Sequence, residues 1–126
     1  MPSTSKATAP DGQEFPVGYE RTEDLDDYTV NFVTLNQAHD LAPMLAVLPT
    51  GRCECPHWGV VQKGSLTFTY ADGHVEVYEP GDAFYTPPGH APSCTDGTEF
   101  VMFSPREELK ATNDAIMAGM QAMQAG

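Results

Sequence analysis

Turn signals cut the middle of this chain into short pieces, and that spacing limits what it can fold into. Pro49-Thr50-Gly51, Lys63-Gly64-Ser65, Ala71-Asp72-Gly73, Pro80-Gly81-Asp82, Pro87-Pro88-Gly89 and Asp96-Gly97 leave no room between them for a long helix. The pieces they bound are rich in β-branched and aromatic residues, and several alternate with period two. Leu66-Thr67-Phe68-Thr69-Tyr70 places Leu66, Phe68 and Tyr70 on one face. Asp72-Gly73 supplies the positive φ of a tight hairpin, and His74 to Glu79 forms the return strand. Further strands are expected at Tyr28–Leu35, Met44–Leu48, Trp58–Gln62, Ala83–Thr86, His90–Cys94 and Phe100–Phe103. Many short strands at such spacing indicate an antiparallel sandwich or barrel.

Both ends depart from this pattern. Residues 1–22 lack apolar periodicity and are expected to form a mobile tail, leaving a barrel over 23–104. Ser104-Pro105-Arg106-Glu107 has the form of a helix start, with Ser as N-cap and Glu completing a capping box. Leu109, Ile116, Met120 and Met123 then form one helical stripe, so 105–126 is expected to pack on the barrel or on a dimer partner.

Composition narrows the function. Eighteen acidic against six basic residues give a net charge of −12 over 126 residues, which disfavours nucleic acid and anionic membranes as partners. No run approaches the ~20 apolar residues of a membrane span. The N-terminus has no apolar core of a secretory signal. Three cysteines is an odd count, and Cys53 and Cys55 are too close in an extended chain for an unstrained bridge. A reducing, cytoplasmic setting is expected, where cysteines serve as metal ligands or catalysts.

The chemistry is concentrated in Arg52-Cys53-Glu54-Cys55-Pro56-His57. At two-residue spacing, Cys53, Cys55 and His57 share one side of an extended strand, and thiolates with imidazole suit a soft transition metal. His39 and His74 lie in turn-prone surroundings and read as solvated. Cys94 reads as a small buried hydrophobe. No Ser-His-Asp set, phosphate loop or dinucleotide fingerprint occurs.

The order of motifs resembles the cupin superfamily, double-stranded β-helix (jelly-roll) barrels whose two motifs converge on one metal. Gly81 to Gly89 reproduces the second motif (glycine, five residues, proline, any residue, glycine), with His90 following at once. Counting back from Gly64, His57 stands at the glutamate position of the first motif, Cys53 at its second histidine and Gly51 at its first. The resemblance covers roughly residues 28–104 and implies an all-β barrel with a short C-terminal helix. The usual three-His, one-Glu set is replaced by Cys53, Cys55, His57 and His90.

Such a set binds one transition metal per chain, zinc first in composition, with iron(II) and copper also compatible. Four ligands close a structural site, whereas three leave a place for substrate. Cys55 decides between them, because Pro56 distorts the strand beside it. The barrel interior is expected to be lined by Phe68, Tyr70, Val77 and Tyr85, a wall suited to a small organic molecule. Tyr70, Tyr78 or Tyr85 would serve as hydrogen-bond donor, and Arg52 as a carboxylate clamp. Two functions follow: a metal-dependent enzyme acting on a small organic molecule (isomerase, cyclase, lyase or oxygenase), or a non-catalytic barrel stiffened by structural zinc. A homodimer is expected in either case.

Overall fold

A computed structural model describes residues 3–125. In chain order its elements are β1 (Asp11–Phe15), β2 (Gly18–Leu25), β3 (Tyr28–Leu35), β4 (His39–Asp40) and a helical turn α1 (Ala42–Leu45). They continue with β5 (His57–Lys63), β6 (Leu66–Tyr70), β7 (Val75–Tyr78), β8 (Ala83–Thr86), β9 (His90–Cys94), β10 (Thr98–Pro105) and α2 (Arg106–Ala125). The strands form two antiparallel sheets, of order β1-β2-β3-β10-β5-β8 and β4-β9-β6-β7. Neighbours in each sheet are mostly distant in sequence, as a jelly-roll barrel requires.

Alternation decides what lies between the sheets. Val33 and Leu35 of β3, Phe100 of β10, Val61 of β5 and Phe84 of β8 face Leu66 and Phe68 of β6 and Cys94 of β9 in one core. Leu66, Phe68 and Val61 are at most 2% exposed, and burying each side chain stabilises the fold by roughly 1.5–3 kcal/mol. A second cluster closes one end: Leu45, Leu48, Cys53, Cys55 and Ala91, with Leu109 and Ile116 of α2 packed against it.

Four expectations are corrected. The segment 11–25, placed mostly within a mobile tail, is a hairpin whose second strand β2 pairs with the whole of β3. Its charged residues conceal the alternation because it lies toward a sheet edge, where pairing rather than its own apolarity holds it. Even Lys6 is tethered, 2.8 Å from Glu99.

Met44–Leu48 is not a strand. The chain turns helically at Ala42–Leu45, so Leu45 and Leu48, three apart, reach the same cluster. An apolar run this short suits either element.

Ser104 and Pro105 end β10 instead of capping α2, which starts at Arg106 with its N–H donating to the Asp27 carbonyl. In the helix stripe Leu109 and Ile116 are partly buried, whereas Met120 and Met123 are exposed.

Val77 and Tyr85, placed in the interior by the sequence pattern, lie outside, about half exposed. Register explains this: Leu66 pairs with Tyr78 and Phe68 with Glu76, which turns Val75 and Val77 outward. Tyr78 and Phe84 take the interior places, their rings stacked at 5.1 Å.

Candidate metal site

Three buried side chains meet at the end of the barrel closed by α1 and α2. His57 opens β5 and His90 opens β9, and Cys53 is held to β9 by an isolated bridge. The Cys53 N–H donates to the His90 carbonyl at 2.9 Å, and the Gly89 N–H donates to the Cys53 carbonyl at 2.8 Å. Gly89 has φ +95°, a backbone few other residues adopt, and this turn after Pro87-Pro88 delivers His90 inward. Gly59, two residues after His57 and on the same inner face, leaves room for the Phe84 ring; a Cβ there would stand 2.7 Å from it.

The ligating atoms of Cys53, His57 and His90 all lie within 4.8 Å of one another. Cys53 Sγ is 3.7 Å from His57 Nε2, and the two imidazole centroids are 4.9 Å apart. Bonds of about 2.0–2.3 Å to a tetrahedral ion separate donor atoms by roughly 3.5 Å, close to the 3.7 Å between Cys53 Sγ and His57 Nε2. Exposure is 7% for Cys53, 5% for His57 and 1% for His90. The Phe68 and His90 rings pack nearly at right angles, with centroids 5.2 Å apart.

Hydrogen bonds orient the rings. His90 Nδ1 lies 2.8 Å from the Pro87 carbonyl, an acceptor only, so Nδ1 carries the proton and Nε2 keeps its lone pair. His57 Nδ1 lies 2.7 Å from Ser104 Oγ, leaving its Nε2 toward Cys53. Beyond the rings, Tyr70 Oη bonds Thr86 Oγ1 at 2.7 Å. Thr86 stands opposite His57 and Tyr70 opposite His90, so this hydroxyl pair borders both imidazoles.

Burial sets the charge. It pushes the His57 pKa down to about 3, helped by the neighbouring His90, lowers that of His90, and raises that of the Cys53 thiol. Without a cation the cluster is therefore a thiol with two neutral imidazoles. The imidazoles are ready donors, and the thiol gives up its proton when an ion binds. The donor set fits a borderline-soft transition metal.

Cys55 does not join the other three. It is 1% exposed among Leu45, Leu48 and Ala91, with its sulfur 3.5 Å from the Pro56 carbonyl. Burial, then Cys53 and Glu108, push its thiol up to about 12, so it stays protonated. The reason is local: β5 begins only at His57, so the two-residue alternation that would align Cys55 with it fails at Pro56. Cys94 lies in the main core, and His39 and His74 are exposed. Arg52 makes no ion pair among the described residues and stands beside Thr50 and Glu54 in a cleft against α2. Sequence reasoning missed Ser104 and Thr86. Ser104 has the same parity as Phe100 and Met102, an inward position visible only once β10 is extended to Pro105.

No family model matches the chain, and no curated protein matches it. Solved structures do. A protein of unknown function from Rhizobium leguminosarum bv. viciae 3841 superposes with TM-score 0.60 at 15% identity, over 82% of this chain and 95% of its own. An RmlC-like cupin from Shewanella frigidimarina NCIMB 400 gives TM-score 0.52 at 16% identity, over 75% and 83%. The chain has the cupin fold. Fe(II) HppE gives TM-score 0.57 at 6% identity, over 82% of this chain and 60% of that one. In this cupin fold the Cys53, His57 and His90 cluster occupies the inner face of the barrel, near one end.

Proposed function

We propose that this cupin holds one transition metal through Cys53 Sγ, His57 Nε2 and His90 Nε2, and acts as a metal-dependent enzyme on a small organic molecule. The observation that carries the reading is the convergence of three donors with Cys55 left outside, which leaves one tetrahedral place open. Such an ion, when bound, supplies Lewis-acid chemistry, or oxygen chemistry if it is iron. The Fe(II) of HppE on the same fold is in keeping with this.

The chain's own groups do the rest. Ser104 and the Pro87 carbonyl hold the imidazoles in orientation. Tyr70, Thr86 and Phe68 border the donors, offering hydroxyls for a polar substituent and an aromatic ring for an apolar one. Zinc remains the first expectation for the metal, with iron(II) and copper compatible.

A second reading has its own support. The donors are at most 7% exposed, and the two clefts beside α2 are lined by none of them, which favours a structural ion that stiffens the barrel. Elemental analysis of wild type and Cys55→Ser, with thermal stability alongside, separates the two. One metal per chain in both proteins supports the open three-ligand site. Loss of metal from Cys55→Ser supports the closed structural one. Wild type purified without chelators and free of transition metal overturns both.

A cytoplasmic setting, matching three unbridged cysteines, and a homodimer, for which Met117, Met120 and Met123 offer exposed apolar surface, belong to the same proposal. No helix among the described residues is long and apolar enough to cross a membrane.

A further inference from the structure

Apart from the metal cluster, the molecule has a cleft of about 530 Å³ between α2 and the inner-face end of β2 and β3. That volume lies within the range of small-molecule sites. Its sheet wall carries Glu20 and Asp24 of β2 with Thr29 and Asn31 of β3, and its helix wall carries Arg106 and Lys110.

The charges on the two walls are not equally satisfied. Lys110 Nζ is 2.9 Å from Asp114, and Arg106 Nε is 3.6 Å from Glu107. Glu20 and Asp24 have no ion-pair partner among the described residues; they accept only from Gln13, Asn31 and Thr29. At the floor, Asn31 is 5% exposed; its Nδ2 donates to Glu20 at 3.1 Å and its Oδ1 has no partner. A buried acceptor left unpaired costs about 1–3 kcal/mol. The sheet wall therefore presents two carboxylates without an ion-pair partner among the described residues, with an orphan carbonyl buried beneath them, in a strongly acidic protein.

The geometry points to a small aliphatic diamine as the ligand of this cleft. One ammonium, a cation with three donors and no acceptor, meets Glu20 and the Asn31 carbonyl; the other meets Asp24. Glu20 and Asp24 are four residues apart on one strand face, about 13 Å. A four-carbon diamine with a hydrogen bond at each end spans roughly 12 Å. An anion would meet the carboxylates unscreened, and an uncharged diol would leave their charge uncompensated.

The site goes beyond the metal reading and does not depend on it, but it adjoins that centre. Thr29 stands opposite Ser104 in the β3–β10 register, and Ser104 touches His57.

The test is an NMR titration of the full-length protein, as purified, with putrescine, using butanediol as the uncharged match at physiological salt. Saturable shifts are expected at the Asn31 side-chain amide, along β2 and in the first turn of α2, with none from butanediol. Glu20→Gln and Asp24→Asn, made separately, are each expected to weaken binding at least tenfold with the dispersion of the spectrum retained. Shifts scattered over the acidic surface without saturation, equal binding of butanediol, or unchanged affinity in both variants would overturn the proposal. Putrescine binding in a protein free of metal would uphold the cleft while the metal reading fails.

Discussion

Ser104 Oγ lies 2.7 Å from His57 Nδ1 with both residues buried, across adjacent strands and 47 residues apart in the chain. The contact joins the end of β10 to the start of β5. It makes Ser104 the hydroxyl that fixes which nitrogen of His57 faces Cys53.

Removing that hydroxyl frees the ring to rotate and to exchange tautomers. Partners of this kind change metal affinity by about 10–100-fold when lost. Ser104→Ala is expected to weaken binding by that factor in a chelator competition, and Ser104→Thr to restore most of it. Equal affinity in wild type and Ser104→Ala would remove Ser104 from the site.

Acid acts on the metal-free protein through its buried histidines. The folded pKa of His57, about 3, lies below the unfolded value near 6.5, and that of His90 is lowered too. The unfolded chain therefore binds more protons as pH falls through 6.5, and stability declines with acid by up to about 1.4 kcal/mol per pH unit for each histidine. The loss continues until each folded pKa is reached. Urea unfolding at pH 7, 6 and 5 is expected to show falling midpoints before the carboxylates begin to titrate. A flat profile over that window contradicts the buried neutral imidazoles.

Gly89→Ala places a side chain at φ +95° in the turn that delivers His90. A loss of roughly 1–2 kcal/mol in chemical denaturation is expected, with weaker metal binding because His90 moves with the turn. Retention of both stability and metal affinity would mean the turn tolerates another conformation.

Much of the barrel was legible in the sequence, and the reason is physical. Closely spaced glycine and proline turns with period-two runs such as Leu66–Tyr70 admit few other folds, and the Gly81–Gly89 motif leads into His90, which is buried. What was misread depended on partners distant in the chain. β2 is held by β3 more than by its own composition, and the inward face of β7 is chosen by pairing with β6. The site divides the same way. The convergence of Cys53, His57 and His90 is legible from residue type and motif spacing, while the place of Cys55 apart from them turns on the backbone around Pro56. Ser104 carried a local signal, that of a helix cap, which its place in β10 overrides.

Phe68 is the aromatic residue that couples core to site: 2% exposed, with Phe84 at 5.6 Å and His90 at 5.2 Å between ring centroids. Phe68→Ala is expected to cost about 3–5 kcal/mol. Phe68→Leu, which refills most of the space, is expected to cost less in thermal unfolding and to keep metal stoichiometry. Loss of metal from a folded Phe68→Leu protein would instead give the ring a direct part in holding His90.

The most direct measurement of the central claim is X-ray absorption fine structure on the metal-loaded wild type, which counts sulfur and nitrogen neighbours. One sulfur at about 2.3 Å and two imidazole nitrogens at about 2.0–2.1 Å, with a further light-atom neighbour, is the predicted result. Two sulfur neighbours would contradict it, because Cys55 would then close the site.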